Sequence, residues 1–210
     1  TPHLGASTVE AQESVAVDVS NDIIKFYKTG TVTNPVNMPS IPKEKLAQVE
    51  PFFALAEKLG KFLIQVTEES IQQLNISYAG EVANFDVRPL TSNAIKGLLS
   101  TNHGSHVNDV NARYLAERIG MQINEHKTTT AKGFTNLITV EIVTETEKHT
   151  VAGTLLNGLG ARIVKVEGFV VDVIPNGNLL YIKNQDKPGS IGRVATKLAE
   201  KEINIATMQV

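Results

Sequence analysis

Apolar and polar positions along the chain change period several times, and each change marks an element. Ser7-Thr8-Val9-Glu10 has the S-x-x-E spacing of a capping box, in which a hydroxyl and a carboxylate satisfy free amides at a helix start. Val15, Val19, Ile23 and Phe26 follow at steps of three and four, forming the apolar stripe of an amphipathic helix that Gly30 closes. Residues 31–42 contain Pro35, Pro39 and Pro42, which predict an extended linker and a domain boundary near residue 40. Phe52, Leu55, Ala56, Leu59, Phe62, Leu63 and Val66 then share one face at helical spacing. They predict a core-facing helix with Pro51 in its first turn and Gly60 as a tolerated weakness.

The period then shortens to two. Residues 74–78 alternate as a half-buried strand, and Gly80 is expected to turn the chain toward a partner strand over residues 82–87. Shorter helices are predicted over residues 91–100 and 111–119, the second closed by Gly120. Beyond Met121 the pattern is β-rich, with residues 137–143 and 150–156 placing glutamates and threonines opposite an apolar face. After the tight turn at Asn176-Gly177, a strand over 179–183, a helix over 190–201 and a strand over 203–208 form one βαβ unit. Such a unit cannot bury both strand faces, so either it joins the preceding sheet or its domain continues past Val210. The expected class is α+β in three parts: residues 1–40, 41–175 and 176–210.

With 41% hydrophobic residues in 210, the chain can bury sizeable cores. Twenty Lys and Arg against 22 Asp and Glu give a net charge of -2, so nucleic acid and acidic membrane surfaces are not expected partners. Without cysteine there are no disulfides, thiolate metal sites or cysteine nucleophiles, a pattern that fits a reducing, cytoplasmic location. No apolar run approaches the ~20 residues that cross a bilayer. The opening Thr1-Pro2-His3-Leu4-Gly5 reads like the middle of a loop, so the chain is expected to be a piece of a longer protein.

Several residues could carry chemistry. His3 lies in a constrained turn before a helix start, where an imidazole can pass a proton to or from a substrate oxygen. The amides of Gly5 and Ala6 could approach a phosphate or a nicotinamide amide. The competing reading of His3 is an ordinary surface histidine. His103, His106, Asp109 and His126 are zinc-ligand types, but His103 and His106 fall in an Asn/Gly/Ser-rich turn, so polar surface and no metal are expected. Arg162 and Lys165, on a predicted strand, read by themselves as solvated strand residues. In Asn184-Gln185-Asp186-Lys187-Pro188-Gly189-Ser190-Ile191-Gly192, a strand end meets a helix start. There a small zwitterion could place its carboxylate near the helix amides and its ammonium on Asp186 or an asparagine oxygen. The plainer reading is a strand-to-helix turn in a module that only dimerises.

Thr1-Pro2-His3-Leu4-Gly5-Ala6-Ser7-Thr8-Val9-Glu10-Ala11-Gln12 resembles the last active-site segment of D-2-hydroxyacid dehydrogenases, most closely the D-3-phosphoglycerate dehydrogenases. The resemblance implies that His3 is the acid/base exchanging the hydroxyl proton while hydride passes between substrate and NAD. The family's orienting carboxylate, its substrate-binding arginine and its Gly-rich dinucleotide fingerprint are not in this sequence. Residues 41–174, including Leu90-Thr91 and Val110-Asn111-Ala112, resemble the intervening, allosteric substrate-binding domain of the long form. There Arg162 matches one basic position of an anion site, while Phe169 and Ile174 stand where some relatives carry arginines. The D-x-P-G-x-[IL] pattern after a strand resembles the opening of an ACT domain, a ferredoxin-like module that binds amino acids between subunits. The effector positions it implies are Asn184, where some relatives have histidine, Asp186 and Asn204.

The expectation is therefore the later part of an NAD-dependent 3-phosphoglycerate dehydrogenase of serine biosynthesis, mainly its regulatory and oligomerisation region and inactive by itself. A homo-oligomer, taken as a tetramer, and an effector such as L-serine are expected with it. The rivals are a stand-alone amino-acid-sensing module and the regulatory subunit of an iron–sulfur serine dehydratase, the latter disfavoured by the segment around His3 and by the lack of cysteine.

Overall fold

A computed structural model describes residues 5–29, 43–103, 106–131, 133–185 and 187–210. His3 and Asp186 lie outside the described residues, as does the stretch over 31–42 where a linker is expected. The chain divides into two units, Thr1–Pro42 and Lys43–Val210. In the first, helix α1 spans Val9–Thr29. Its start is capped by Thr8, whose Oγ1 accepts from the Ala11 amide at 3.2 Å, so the helix begins one residue later than the S-x-x-E spacing predicted.

In the second unit, α2 spans Lys43–Ile64 and α3 spans Arg88–His103; between them run β1 over Gln73–Gly80 and a 3₁₀ turn over Glu81–Asn84. The short α4 over Ala112–Arg118 precedes five further strands: β2 Gln122–Thr128, β3 Asn136–Val143, β4 Lys148–Leu156, β5 Gly160–Val166 and β6 Phe169–Val173. They form one mixed sheet in the order β2-β1-β3-β4-β5-β6, with β1 and β2 parallel and every other pair antiparallel. Alternation decides which face is covered. Leu74, Ile76 and Tyr78 of β1 and Ile138, Val140 and Ile142 of β3 are buried, while Gln73, Asn75, Ser77, Thr139 and Glu141 between them are not. The helices cover the apolar side, where the Tyr78 hydroxyl shares a 2.8 Å hydrogen bond with that of Thr91 on α3. The class is α+β, as expected.

Three local expectations are corrected. The helix predicted to begin at Pro51 starts at Lys43, because its stripe extends back through the buried Val49. Pro51 is therefore interior and leaves the carbonyl four residues back without its helical donor, on the exposed Ala47. Gly60 is a requirement rather than a weakness. A Cβ there would lie 2.1 Å from the Ala94 carbonyl oxygen, and one on Gly97 would lie 2.1 Å from that of Glu57, so the two glycines let α2 and α3 cross backbone to backbone. The strand expected over 82–87 is replaced by the 3₁₀ turn, since Gly80 at φ 83° breaks the extended path and Asn136 Oδ1 accepts from the Val82 amide at 2.6 Å. Past the sheet, α5 over Ser190–Ala199 is the helix of the expected βαβ start, and the flanking residues 179–183 and 203–208 join no ladder within this chain. Two strands without a sheet bury too little to hold themselves.

Candidate functional site

The sites expected from sequence fall in three places. In the N-terminal unit, Gly5 and Ala6 are exposed in the turn before α1, where the Gln12 side-chain amide donates to the Ala6 carbonyl at 3.1 Å. Two amides at a helix entrance suit one edge of an anionic ligand. Among the described residues no Gly-rich turn links a strand to a helix in a βαβ unit.

In the sheet unit, Arg162 on β5 is only 13% exposed and already engaged. Its Nε lies 3.2 Å from Asp172 Oδ1, and its Nη1 donates to the carbonyls of Leu159 at 2.6 Å and Ala161 at 3.0 Å. An anion binding there has to compete with Asp172. Near the end of the chain, Asn184 and Asn204 are both exposed, on either side of α5. Gly189 adopts φ 85° just before the helix, and the Ser190 hydroxyl donates to the Gln185 carbonyl at 3.3 Å while accepting from Arg193 Nη2 at 3.0 Å. This tightens the turn that the Pro188-Gly189 pair predicted.

The possible metal residues do not gather among the described residues. Asp109 pairs with Lys96 at 3.1 Å, His106 and His126 are exposed on different elements, and no group of three His, Asp or Glu side chains is placed to hold an ion.

Two arrangements escaped the sequence reading. His149 on β4, 3% exposed, has Nε2 2.9 Å from Glu147 Oε2 and Nδ1 3.2 Å from Glu167 Oε1. Glu167 sits at φ 51°, an uncommon conformation for a side chain of its size. The second arrangement is a row of polar side chains across the open sheet face, in register Asn124–Asn75–Glu141–Thr150. Asn124 Nδ2 donates to Asn75 Oδ1 at 3.0 Å, Asn75 Nδ2 donates to Glu141 Oε1 at 2.8 Å, and Lys148 Nζ lies 2.8 Å from Glu141 Oε2. Burial raises the Glu141 carboxyl, but the hydrogen bonds from Lys148 and Asn75 outweigh it and leave the group below its ordinary value. Alternation predicts which residues face out; only the register shows which of them meet.

A family model for the D-3-phosphoglycerate dehydrogenase intervening domain matches residues 48–167, from α2 to the end of β5. The chain belongs to this family. Curated relatives named D-3-phosphoglycerate dehydrogenase align along the whole chain: 38% identical in Bacillus subtilis and 38% in Methanocaldococcus jannaschii, each over 210 residues. A protein of the same name from Synechocystis is 35% identical over 211 residues. The chain spans only about 40% of the length of these relatives, 40% of the first two and 38% of the third. The family match contains the open polar face and Arg162, while β6, α5, Asn184 and Asn204 lie beyond it.

Proposed function

We propose that the chain is the regulatory and oligomerisation region of an NAD-dependent D-3-phosphoglycerate dehydrogenase, which oxidises 3-phosphoglycerate to 3-phosphohydroxypyruvate in L-serine biosynthesis. The observation that carries this reading is the alignment of relatives bearing that enzyme's name along all 210 residues. In this reading the protein is cytoplasmic and a homo-oligomer, taken as a tetramer. Residues 41–175 act as the intervening domain, and 176–210 begin an effector-binding module.

NAD, held mostly by residues outside this chain, supplies hydride acceptance. His3 takes the hydroxyl proton, and the Gly5 and Ala6 amides steady the cofactor or substrate at the helix entrance. Arg162 is the anion residue of the intervening domain, and Asn184, Asp186 and Asn204 hold L-serine. Both effector asparagines lie exposed beside α5, which supports that assignment.

The test is made on the longer protein that contains this chain. NAD-linked oxidation of 3-phosphoglycerate is expected, with kcat reduced about 10²-fold or more by His3→Ala, since acid/base catalysis contributes ~10²–10⁴. L-serine is expected to inhibit, and Asn204→Ala to weaken inhibition about 5- to 150-fold by removing one hydrogen bond, with kcat unchanged in the absence of serine. Absence of that turnover overturns the enzyme reading. Full turnover in the His3 variant removes His3 from the mechanism, and indifference to millimolar serine removes the effector.

A further inference from the structure

The open face of the sheet carries two neighbouring polar rows that differ in kind. Along Asn124–Asn75–Glu141 every register neighbour is hydrogen-bonded, Gln73 Nε2 adds a further bond to Asn75 Oδ1 at 2.8 Å, and Lys148 closes the far end. This fixes the row in one geometry. The next row, in register His126–Ser77–Thr139–Ala152, carries no side-chain hydrogen bond or ion pair among the described residues. Its central side chains are small, so between the bonded row and His126 the face sinks into an open depression of about 440 Å³.

The side chains lining this depression are hydroxyls, amides and an imidazole, with one carboxylate, Glu141, whose oxygens are already engaged by Asn75 and Lys148. Ser77 and Thr139 offer hydroxyls that both donate and accept. Asn124 Oδ1 accepts, and the His126 imidazole has one nitrogen for each role in its neutral form. The charges on the adjoining row, Glu141 and Lys148, pair with each other at 2.8 Å, so no unbalanced charge from that row is aimed into the depression. Closely spaced neutral donors and acceptors without a net field match the hydroxyls of a sugar better than a carboxylate or a phosphate. We propose that this face, the β2-β1-β3 part of the sheet with Ser77, Thr139, Asn124 and His126, is a binding site for a small uncharged polyhydroxylated molecule. It is separate from Arg162 and from the residues around α5, and does not depend on the functional reading above.

The site is shallow and has no aromatic platform, so affinity is expected in the millimolar range. The experiment is a titration of the isotopically labelled 210-residue chain with D-ribose, followed by amide and imidazole chemical shifts, with D-glycerate as an anionic counterpart of similar chemistry. Saturable shifts are expected at Ser77, Asn124, His126 and Thr139, with weaker response to glycerate. Ser77→Ala and Thr139→Val should each weaken the ribose titration about threefold to tenfold, as the loss of one hydrogen bond does, while leaving the rest of the spectrum in place. The proposal is overturned if ribose at about 100 mM, enough to saturate a millimolar site, moves none of these residues. It is also overturned if glycerate moves them at lower concentration, if both variants titrate like the parent, or if the same residues shift with protein concentration alone, which makes the face a contact between copies.

Discussion

Residues 43–173 and residues 174–210 are written in the same alphabet of alternating apolar positions, yet they end in different states. In the first region, Leu74 and Ile76 alternate with Asn75 and Ser77, and both apolar residues are fully buried between neighbouring strands and the helix layer. In the second, Leu180 remains 66% exposed and Ile203 53%, and neither segment enters a ladder. Local propensity is similar; what differs is company. β1 has β2 on one side, β3 on the other and α3 beneath it, whereas the segments beside α5 reach the body mainly through side chains. Tyr181 meets Phe62 edge-on at 5.8 Å, Lys58 donates to the Asn176 side chain, and Gln209 Oε1 accepts from the Asp172 amide at 2.8 Å. Alternation states what a segment can bury; a sheet decides whether it does.

The contrast is tested hardest where the body is tightest. Gly97→Ala brings a gain in helix propensity of about 1 kcal/mol and an overlap with the Glu57 carbonyl that side-chain repacking cannot relieve. Overpacking should win, with a net loss of about 2 kcal/mol and a fall in Tm of about 4–8 °C for a chain of this size. The sign alone is diagnostic in a denaturant or thermal melt. A stabilised variant would mean that the α2–α3 crossing is looser than described.

This pair also shows where the sequence was readable and where it was not. The apolar stripes gave α2, β1, α3 and β3 because a stripe records which face is buried. A glycine in a helix, by contrast, looks like a propensity defect until the partner backbone is known, since its role depends on what lies opposite it. The same limit applies to the candidate sites. Asn75 and Glu141 are 66 residues apart, and only the antiparallel register of β1 with β3 makes them neighbours. Arg162 was legible as a basic residue on a strand, but not as the partner of Asp172, because that pairing depends on the β5–β6 turn. His149 gave no signal at all, being one histidine in a strand whose two carboxylate neighbours arrive from turns at either side.

A smaller effect is expected at the polar row, where pH separates the contributions. Glu141 has its folded-state pKa lowered below the ordinary value of 4.5, despite desolvation, by the Lys148 and Asn75 hydrogen bonds. A lowered carboxyl contributes stability that is fully present above about pH 4.5 and lost as pH falls through the folded-state value. Glu141→Gln keeps the shape but removes the charge, so it should cost about 1 kcal/mol near pH 7, the scale of a good exposed ion pair. The gap in Tm between wild type and variant should narrow steadily as pH drops from 5 toward 3. A gap independent of pH would assign the loss to packing rather than to the Lys148 pair.

The smallest effect should come from the region that stayed out of the sheet. Leu180 is mostly exposed and makes no ladder hydrogen bond, so Leu180→Ser removes little buried area and leaves no polar group unsatisfied. Exposed substitutions of this kind stay within about 0.5 kcal/mol, against the 2–5 kcal/mol that a Leu→Ala change costs in a core. Leu74→Ala in β1 is the matched control, since both leucines sit at apolar positions of alternating segments and differ only in burial. A two-state melt of the 210-residue chain should show Leu74→Ala far below wild type and Leu180→Ser beside it. If Leu180→Ser instead costs as much as Leu74→Ala, residues 179–183 are paired into a sheet in solution, by this chain or by a second copy. A dependence of that cost on protein concentration would then identify the second copy, because a contact between chains is stabilised by mass action and one within a chain is not.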